Sequence, residues 1–339
     1  MKVFYLLLIC LVFLLTACSP IVKVQDENAR RLGAAKQADA AYAPVTIENI
    51  NEKGDPIAQV YERPPERVVA VWQNSIETLL ALGVGDRIVA GMGVPDAKYI
   101  RPEYRAAYEA IPYTSLEHLD VETILMMQPD LIVGWSSTFS PKVLRGTEFW
   151  AGRGVHTYIA PSSARGNRNK TIAQECEDIR NLGRIFGREE RANALVGEME
   201  HEIAFVAEKT AGMEPRPRAL VIELMGKEIR SYGKDTLAGD MVRSLGADHL
   251  AADGASLGME ELIELNPDAI FLIVIEDDYG NEDAITARLY ENPALRSLSC
   301  VQQHRIYTVP LYAVYSAGIR AYDGITIFAH GLYPEIYGE

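Results

Sequence analysis

Positive charge is what this chain has too little of: 33 Lys and Arg stand against 47 Asp and Glu, a net of -14 over 339 residues. That balance argues against a nucleic-acid partner, whose phosphates need a basic face, and against attachment to anionic lipid by charge alone. Cysteine is scarce as well, at four. Cys10 and Cys18 fall in the N-terminal segment. Cys176 and Cys300, far apart and without metal-ligand spacing, read as two separate buried thiols rather than a disulfide. The six His are scattered without a close pair, so a free transition-metal site is short of the three or four converging ligands it needs. No Gly-x-Ser-x-Gly elbow, no phosphate-cradling loop and no dinucleotide fingerprint occurs, and no catalytic residue is assigned.

Nor is there an apolar run long enough to span a bilayer. The run from Val3 to Leu15 is too short, follows Lys2, and ends in Leu15-Thr16-Ala17-Cys18. Small residues before the cut and a Cys directly after it form a lipoprotein-type signal peptide, residues 1–17, with Cys18 as the new N-terminus. Lipidation of Cys18 on sulfur and amine supplies the two or more acyl chains that firm membrane anchoring requires. Residues 18–44, rich in Ala, Lys, Gln and Asp with neither turn signals nor strand alternation, read as a flexible tether. The mature protein is then a soluble body held outside the cytoplasm, on the periplasmic or outer face of a membrane.

What is present is a segment written twice. Val121-Glu-Thr-Ile-Leu-Met-Met-Gln-Pro-Asp130-Leu-Ile recurs in outline as Met259-Glu-Glu-Leu-Ile-Glu-Leu-Asn-Pro-Asp268-Ala-Ile. In each copy a Glu, at 122 or 260, lies seven positions before a Pro-Asp, with a helical apolar pattern between and a strand-like run after. The length calls for two cores, and the repeat supplies two similar α/β lobes. Two short strands about Gly54-Asp55 open the body. A strand at Arg67–Trp72 leads to Ser75 as N-cap and a helix from Ile76 to Leu82, ended by Gly83. Strands at 88–90, 131–134 and 155–159 alternate with helices, which predicts a parallel sheet covered on both faces. After a helix over 171–186, a second helical segment from Glu189 to Lys209 carries Ala192, Leu195, Met199, Ile203 and Val206 on one stripe. At about 1.5 Å per residue it is roughly 30 Å long, enough to cross between lobes. The cycle restarts with strands at Arg218–Leu224, Ala269–Ile275 and Arg305–Val309, and helices at Leu237–Leu245 and Ala321–Leu332. The expected organisation is an N-terminal lobe over 45–187, an interlobe helix over 188–211 and a C-terminal lobe over 212–339. Both lobes are expected to be Rossmann-like with central parallel sheets.

The lipobox, the hairpin followed by Arg67-Val-Val, the Glu-to-Pro-Asp helix in each half, the long helix between halves and the closing Gly331-Leu-Tyr-Pro-Glu335 resemble one family: the solute-binding lipoproteins of ABC importers for iron-siderophores, haem and cobalamin. The resemblance covers nearly everything from Val45 to Glu339. It implies a monomer with no cofactor, a ligand cleft between the lobes, and delivery of a ferric chelate or metal macrocycle to an ABC permease. It also implies that Glu122 and Glu260 dock into Arg-lined pockets of that permease. Their local alternative is helix capping: Asp120 and Gly258 can each serve as N-cap, which puts both Glu in a first turn, where the helix dipole favours a carboxylate. Glu261 is a substitute in the second lobe. A free metal-ion binder and an α/β enzyme are the rival readings.

Ligand contacts are expected in loops after the carboxyl ends of the parallel strands. These loops hold Trp72, Asn74, Met92-Gly93, Trp135, Ser136 and Ser162–Arg168, with Arg165 among them, in the first lobe. In the second they hold Met225, Tyr232, Tyr312 and Tyr315. Trp72 and Trp135, at the ends of adjacent strands, suggest an aromatic wall for a large flat ligand, or ordinary core packing. Arg320 suits the paired oxygens of a carboxylate or catecholate, or an ion pair with Asp323 at helical spacing. Tyr315 and Tyr322 are candidates for haem ligation or for packing. One helical connection predicts a small opening motion and a cleft largely formed before the ligand arrives.

Overall fold

The duplicated segment is built by one device in each half. In a computed structural model that describes residues 42–226, 228–251 and 256–338, Asp130 accepts the backbone N–H of Arg67 at 2.9 Å and that of Glu66 at 2.8 Å. Asp268 accepts the N–H of Arg218 at 2.8 Å. The two arginines return the favour: Arg67 donates to the Met127 carbonyl, and Arg218 to the carbonyls of Leu265 and Asn266. Each Pro-Asp therefore holds the start of a central strand, while the Arg at that start caps a helix whose last carbonyls would otherwise lack partners. Gln128 and Asn266, just before the two prolines, share a left-handed backbone. The signal segment, Cys18 and nearly all of the tether lie outside the described residues.

Val45–Ile50 (β1) and Pro56–Tyr61 (β2) pair antiparallel, as expected. The N-terminal lobe is built on β3 (Val68–Val71), β4 (Ile88–Met92), β5 (Thr114–Ser115), β6 (Leu131–Gly134) and β7 (His156–Ile159), all parallel, in the order β5-β4-β3-β6-β7. The carboxamides of Asn49 and Gln59 each donate to a carbonyl and accept from the N–H of one β7 residue, Ile159 and Thr157. Two side chains thus stand in for a neighbouring strand and close an otherwise unpaired edge.

The C-terminal lobe carries β8 (Arg218–Met225), β9 (Glu228–Ser231), β10 (Asp248–His249), β11 (Ser256–Leu257), β12 (Ala269–Val274) and β13 (Ile306–Pro310). β10, β8, β12 and β13 run parallel, and the expectation of a parallel sheet holds for this centre. It fails at one edge, where β9 runs antiparallel to β8 and β11 antiparallel to β9. Gly226, at φ 65°, lets the chain double back there.

All six residues of β12 are buried, the pattern of a strand covered on both faces. Its alternate residues serve different cores. Ala269, Phe271 and Ile273 join a cluster that runs continuously into the N-terminal lobe through Val68, Ala70, Leu131 and Val133, whereas Ile270 and Leu272 belong to a cluster confined to the C-terminal lobe. The helix Glu189–Lys209 contributes Ala192, Leu195, Val196, Met199 and Val206 to the shared cluster, close to the stripe read from sequence. The two sheets are separate, but their inner faces share one core. Cys176 and Cys300 are buried and unbridged. No helix among the described residues is long and apolar enough to cross a membrane.

Candidate ligand-binding cleft

Strand β3 passes directly into the helix Gln73–Ala81, three residues earlier than the sequence suggests, and Trp72 rather than Ser75 stands at its N-cap position. Trp72 sits at φ 75°, ψ 151°, a region that side chains other than Gly avoid at a cost of order 1–3 kcal/mol. Three contacts hold it there. Its N–H donates to the Met92 carbonyl at 2.7 Å, its indole N–H reaches the Thr138 hydroxyl at 3.2 Å, and its ring stacks on Trp135 with centroids 4.8 Å apart and planes at 24°. Gly93 makes room, because a Cβ there would lie 2.8 Å from the Trp72 ring.

Trp135 directly follows β6, the neighbour of β3, and donates its indole N–H to Asn74 Oδ1 at 2.9 Å. Since an indole nitrogen only donates, this bond fixes the orientation of the Asn74 amide. The amide nitrogen, Nδ2, is buried with no hydrogen-bond partner. From the other lobe Tyr315 sets its ring against Trp135 at 5.6 Å and 62°, and Lys170 places its ammonium 3.8 Å over the Tyr315 ring. His118 meets Trp72 edge-on, with ring centroids 5.0 Å apart, and burial lowers its pKa by disfavouring the charged imidazolium.

Trp72, Asn74, Trp135, Tyr312 and Tyr315, five of the residues expected at the ligand, line one cavity between the lobes, with Gln73, Gly93, Glu276, Leu311 and Ser316 added. It lies at the carboxyl ends of both sheets, where open α/β folds place ligands. Its volume is about 60 Å³. Tyr315 reaches it from the C-terminal lobe, with its ring set against Trp135.

Four expected residues stand elsewhere. Ser136 bonds Ser163 through both its N–H and its hydroxyl, which fixes one loop against another. Arg165 is exposed in the loop after β7. Tyr232 donates its hydroxyl to Glu223 at 2.7 Å and is buried, which raises its pKa. None of the three lines the cavity. Arg320 is the main correction. It is 6% exposed, and its guanidinium binds both carboxylate oxygens of Glu77, Asp323 at 2.7 Å and the Tyr99 carbonyl at 2.7 Å. The ion-pair alternative is realised and extends across the lobes to Glu77. Burial alone would weaken the charge, but the bonds to Glu77 and Asp323 more than compensate and raise the pKa. Tyr322 packs against the shared core.

Behind Tyr312 lies a second interlobe cavity of about 280 Å³, lined by Lys98, Tyr99, Arg101, Arg105, Tyr279 and Arg320 among others. Apart from Arg320, sequence reasoning singled out none of these. Among the described residues no group of three His, Cys, Asp or Glu converges as a metal site. Glu122 and Glu260 are both exposed, and each is the second residue of a short helix, after the N-caps Asp120 and Gly258.

A family model described as periplasmic binding protein matches residues 68–313. The ABC transporter substrate-binding lipoprotein YvrC of Bacillus subtilis is 25% identical over 316 residues, 90% of each chain. The petrobactin-binding protein YclQ of the same organism is 25% identical over 320 residues, 91% of each chain. The crystal structure of a periplasmic binding protein from Veillonella parvula is 48% identical, covers 87% of this chain and 93% of that one, and superposes with a TM-score of 0.84.

Proposed function

The chain belongs to the periplasmic binding protein family, and we propose on that premise that it captures an iron-siderophore, or a related metal chelate such as haem or cobalamin, and delivers it to an ABC permease. The observation that carries this reading is the strained Trp72, stacked on Trp135 and facing Tyr312 and Tyr315 of the opposite lobe. Backbone strain retained where it serves packing alone is uncommon, and it concentrates where a side chain must be aimed. Two stacked indoles aimed into a cleft suit a ligand with extended flat surfaces. The chelate brings its own ligands for the metal, so the cleft needs no cluster of His and carboxylates.

In this reading Trp72, Asn74, Trp135, Tyr312 and Tyr315 contact the ligand, no bond of the ligand is made or broken, and Glu122 and Glu260 meet the permease. Lipidation at Cys18 holds the protein, as a monomer, outside the cytoplasm. Native mass spectrometry of protein isolated from iron-limited cells tests it: the expected spectrum shows one bound chelate per chain. A protein that carries nothing and takes up no added ferric siderophore, haem or cobalamin would sink the reading.

A further inference from the structure

The two interlobe cavities differ in chemistry, and one residue, Tyr312, lines both. On one side is the indole pair, with a buried amide donor at Asn74 that no protein group uses. On the other are four cationic side chains and three phenols: Tyr99 and Tyr279 meet at 5.0 Å, Tyr279 and Tyr312 at 5.7 Å, and the Arg320 guanidinium lies 4.6 Å over the Tyr312 ring.

The four cations are not equivalent. Arg320 is committed to Glu77 and Asp323, and Arg101 to Asp323, with Glu103 a further 3.9 Å neighbour. Lys98 and Arg105 make no ion pair among the described residues. Arg105 donates to the carbonyls of Ile100 and Lys98, and the Lys98 ammonium stands 5.0 Å over the Tyr99 ring. The acidic residue of the lining, Glu282, accepts the Gly280 N–H. In a chain of net charge -14, these two cations pair with no carboxylate among the described residues, yet both stand on the wall of an interlobe cavity.

We propose that the ligand is an anionic chelate bearing aromatic rings, its rings taking the place of Tyr315 against Trp135 and its negative oxygens facing Lys98 and Arg105. This rests on the solute-binding reading above and narrows its substrate class. Aromatic rings match the stacked indoles, because offset stacking and edge contacts need flat partners. Catecholate or carboxylate oxygens match Asn74 Nδ2, Lys98 and Arg105, because all three only donate. Tyr315 is the side chain that must yield. Tyr315 is 39% exposed, and its ring meets the edge of Trp135 and the Lys170 ammonium. The 60 Å³ left beside it admits no chelate.

The test is calorimetric titration of the purified protein with four probes. These are the ferric complex of 2,3-dihydroxybenzoate and haem, both anionic and aromatic, and the ferric complex of acetohydroxamate and cobalamin, neither of which carries a net negative charge. At least one anionic probe is expected to bind about tenfold or more tighter than both others, with an affinity that falls as salt rises. Which of the two binds separates a catecholate from a tetrapyrrole carboxylate. Lys98→Glu and Arg105→Glu should each weaken that probe about tenfold. Lys98→Glu alters an exposed side chain and keeps the test valid if Arg105→Glu disturbs its loop. Tightest binding of the hydroxamate complex or cobalamin, or an affinity that ignores both charge reversals, overturns the proposal while the solute-binding reading stands. Binding of none of the four overturns both.

Discussion

Arg320 of the C-terminal lobe and Glu77 of the N-terminal lobe meet through two hydrogen bonds, Nε at 2.6 Å and Nη2 at 2.9 Å from the two carboxylate oxygens. Asp323 accepts from Arg320 and also from Arg101, whose own N–H donates to Glu77 at 2.7 Å. The charges alternate around a closed ring that crosses the lobe boundary twice. Beside it, Gly318 approaches so closely that a Cβ would fall 2.5 Å from the Thr78 hydroxyl.

Removing one member of a buried pair leaves the other uncompensated, which typically costs about 3–5 kcal/mol. Glu77→Gln and Arg320→Met should each destabilise the protein by about that much in guanidinium unfolding, and the double variant by less than their sum. Additive losses would mean that the pair contributes nothing beyond packing.

Asp178 gives the protein a pH dependence of known sign. Burial lifts its carboxyl to about 8 from an ordinary 3.8, and the charge of Glu175 one turn away adds to the rise. The folded state keeps a proton that the unfolded chain releases, so this contribution is complete below about pH 4 and is lost as pH rises to about 8. Asp178→Asn should flatten the fall in melting temperature across that window and leave the variant more stable than the parent at pH 8. An unchanged slope would contradict the assignment.

Gly93 holds Trp72 in place by having no side chain. Its φ of 88° and the 2.8 Å approach to the Trp72 ring mean that Gly93→Ala strains the backbone and pushes the indole off Trp135. The expected outcome is loss of the coupled-indole band in ultraviolet circular dichroism and about 1–3 kcal/mol of stability. A variant that keeps the band refutes this dependence.

Glu122 and Glu260 have exposed apolar neighbours, Met126 one turn on from the first and Met259 directly before the second. A carboxylate beside a flexible apolar side chain is suited to a protein partner. Glu122→Ala with Glu260→Ala should abolish uptake into cells while leaving chelate affinity unchanged. Lost affinity would place the pair at the ligand instead.

The fold was legible wherever the information was local. The Glu-to-Pro-Asp repeat marked both lobes because the same strand-start contact recurs at Arg67 and Arg218, and the helix over 189–209 declared itself through one apolar stripe. The antiparallel β9 was missed because Met225-Gly226 reads as a loop as readily as a turn. In the cleft, Trp72 and Trp135 stood out as rare residues at strand ends. Arg320 could not be assigned from sequence, since its partner Glu77 lies 243 positions away and only Asp323 is near. Lys98 and Arg105 belong to no motif in the sequence, and only their place on the wall of the cavity shared with Tyr279 sets them apart.

Calorimetric titration of the parent protein and of Trp135→Ala with ferric siderophores, haem and cobalamin tests the central claim most directly. The account predicts one saturable site per chain for one of these ligands and an affinity reduced by about 2 kcal/mol or more when the indole is removed. Full affinity in Trp135→Ala, with the fold intact, would contradict it.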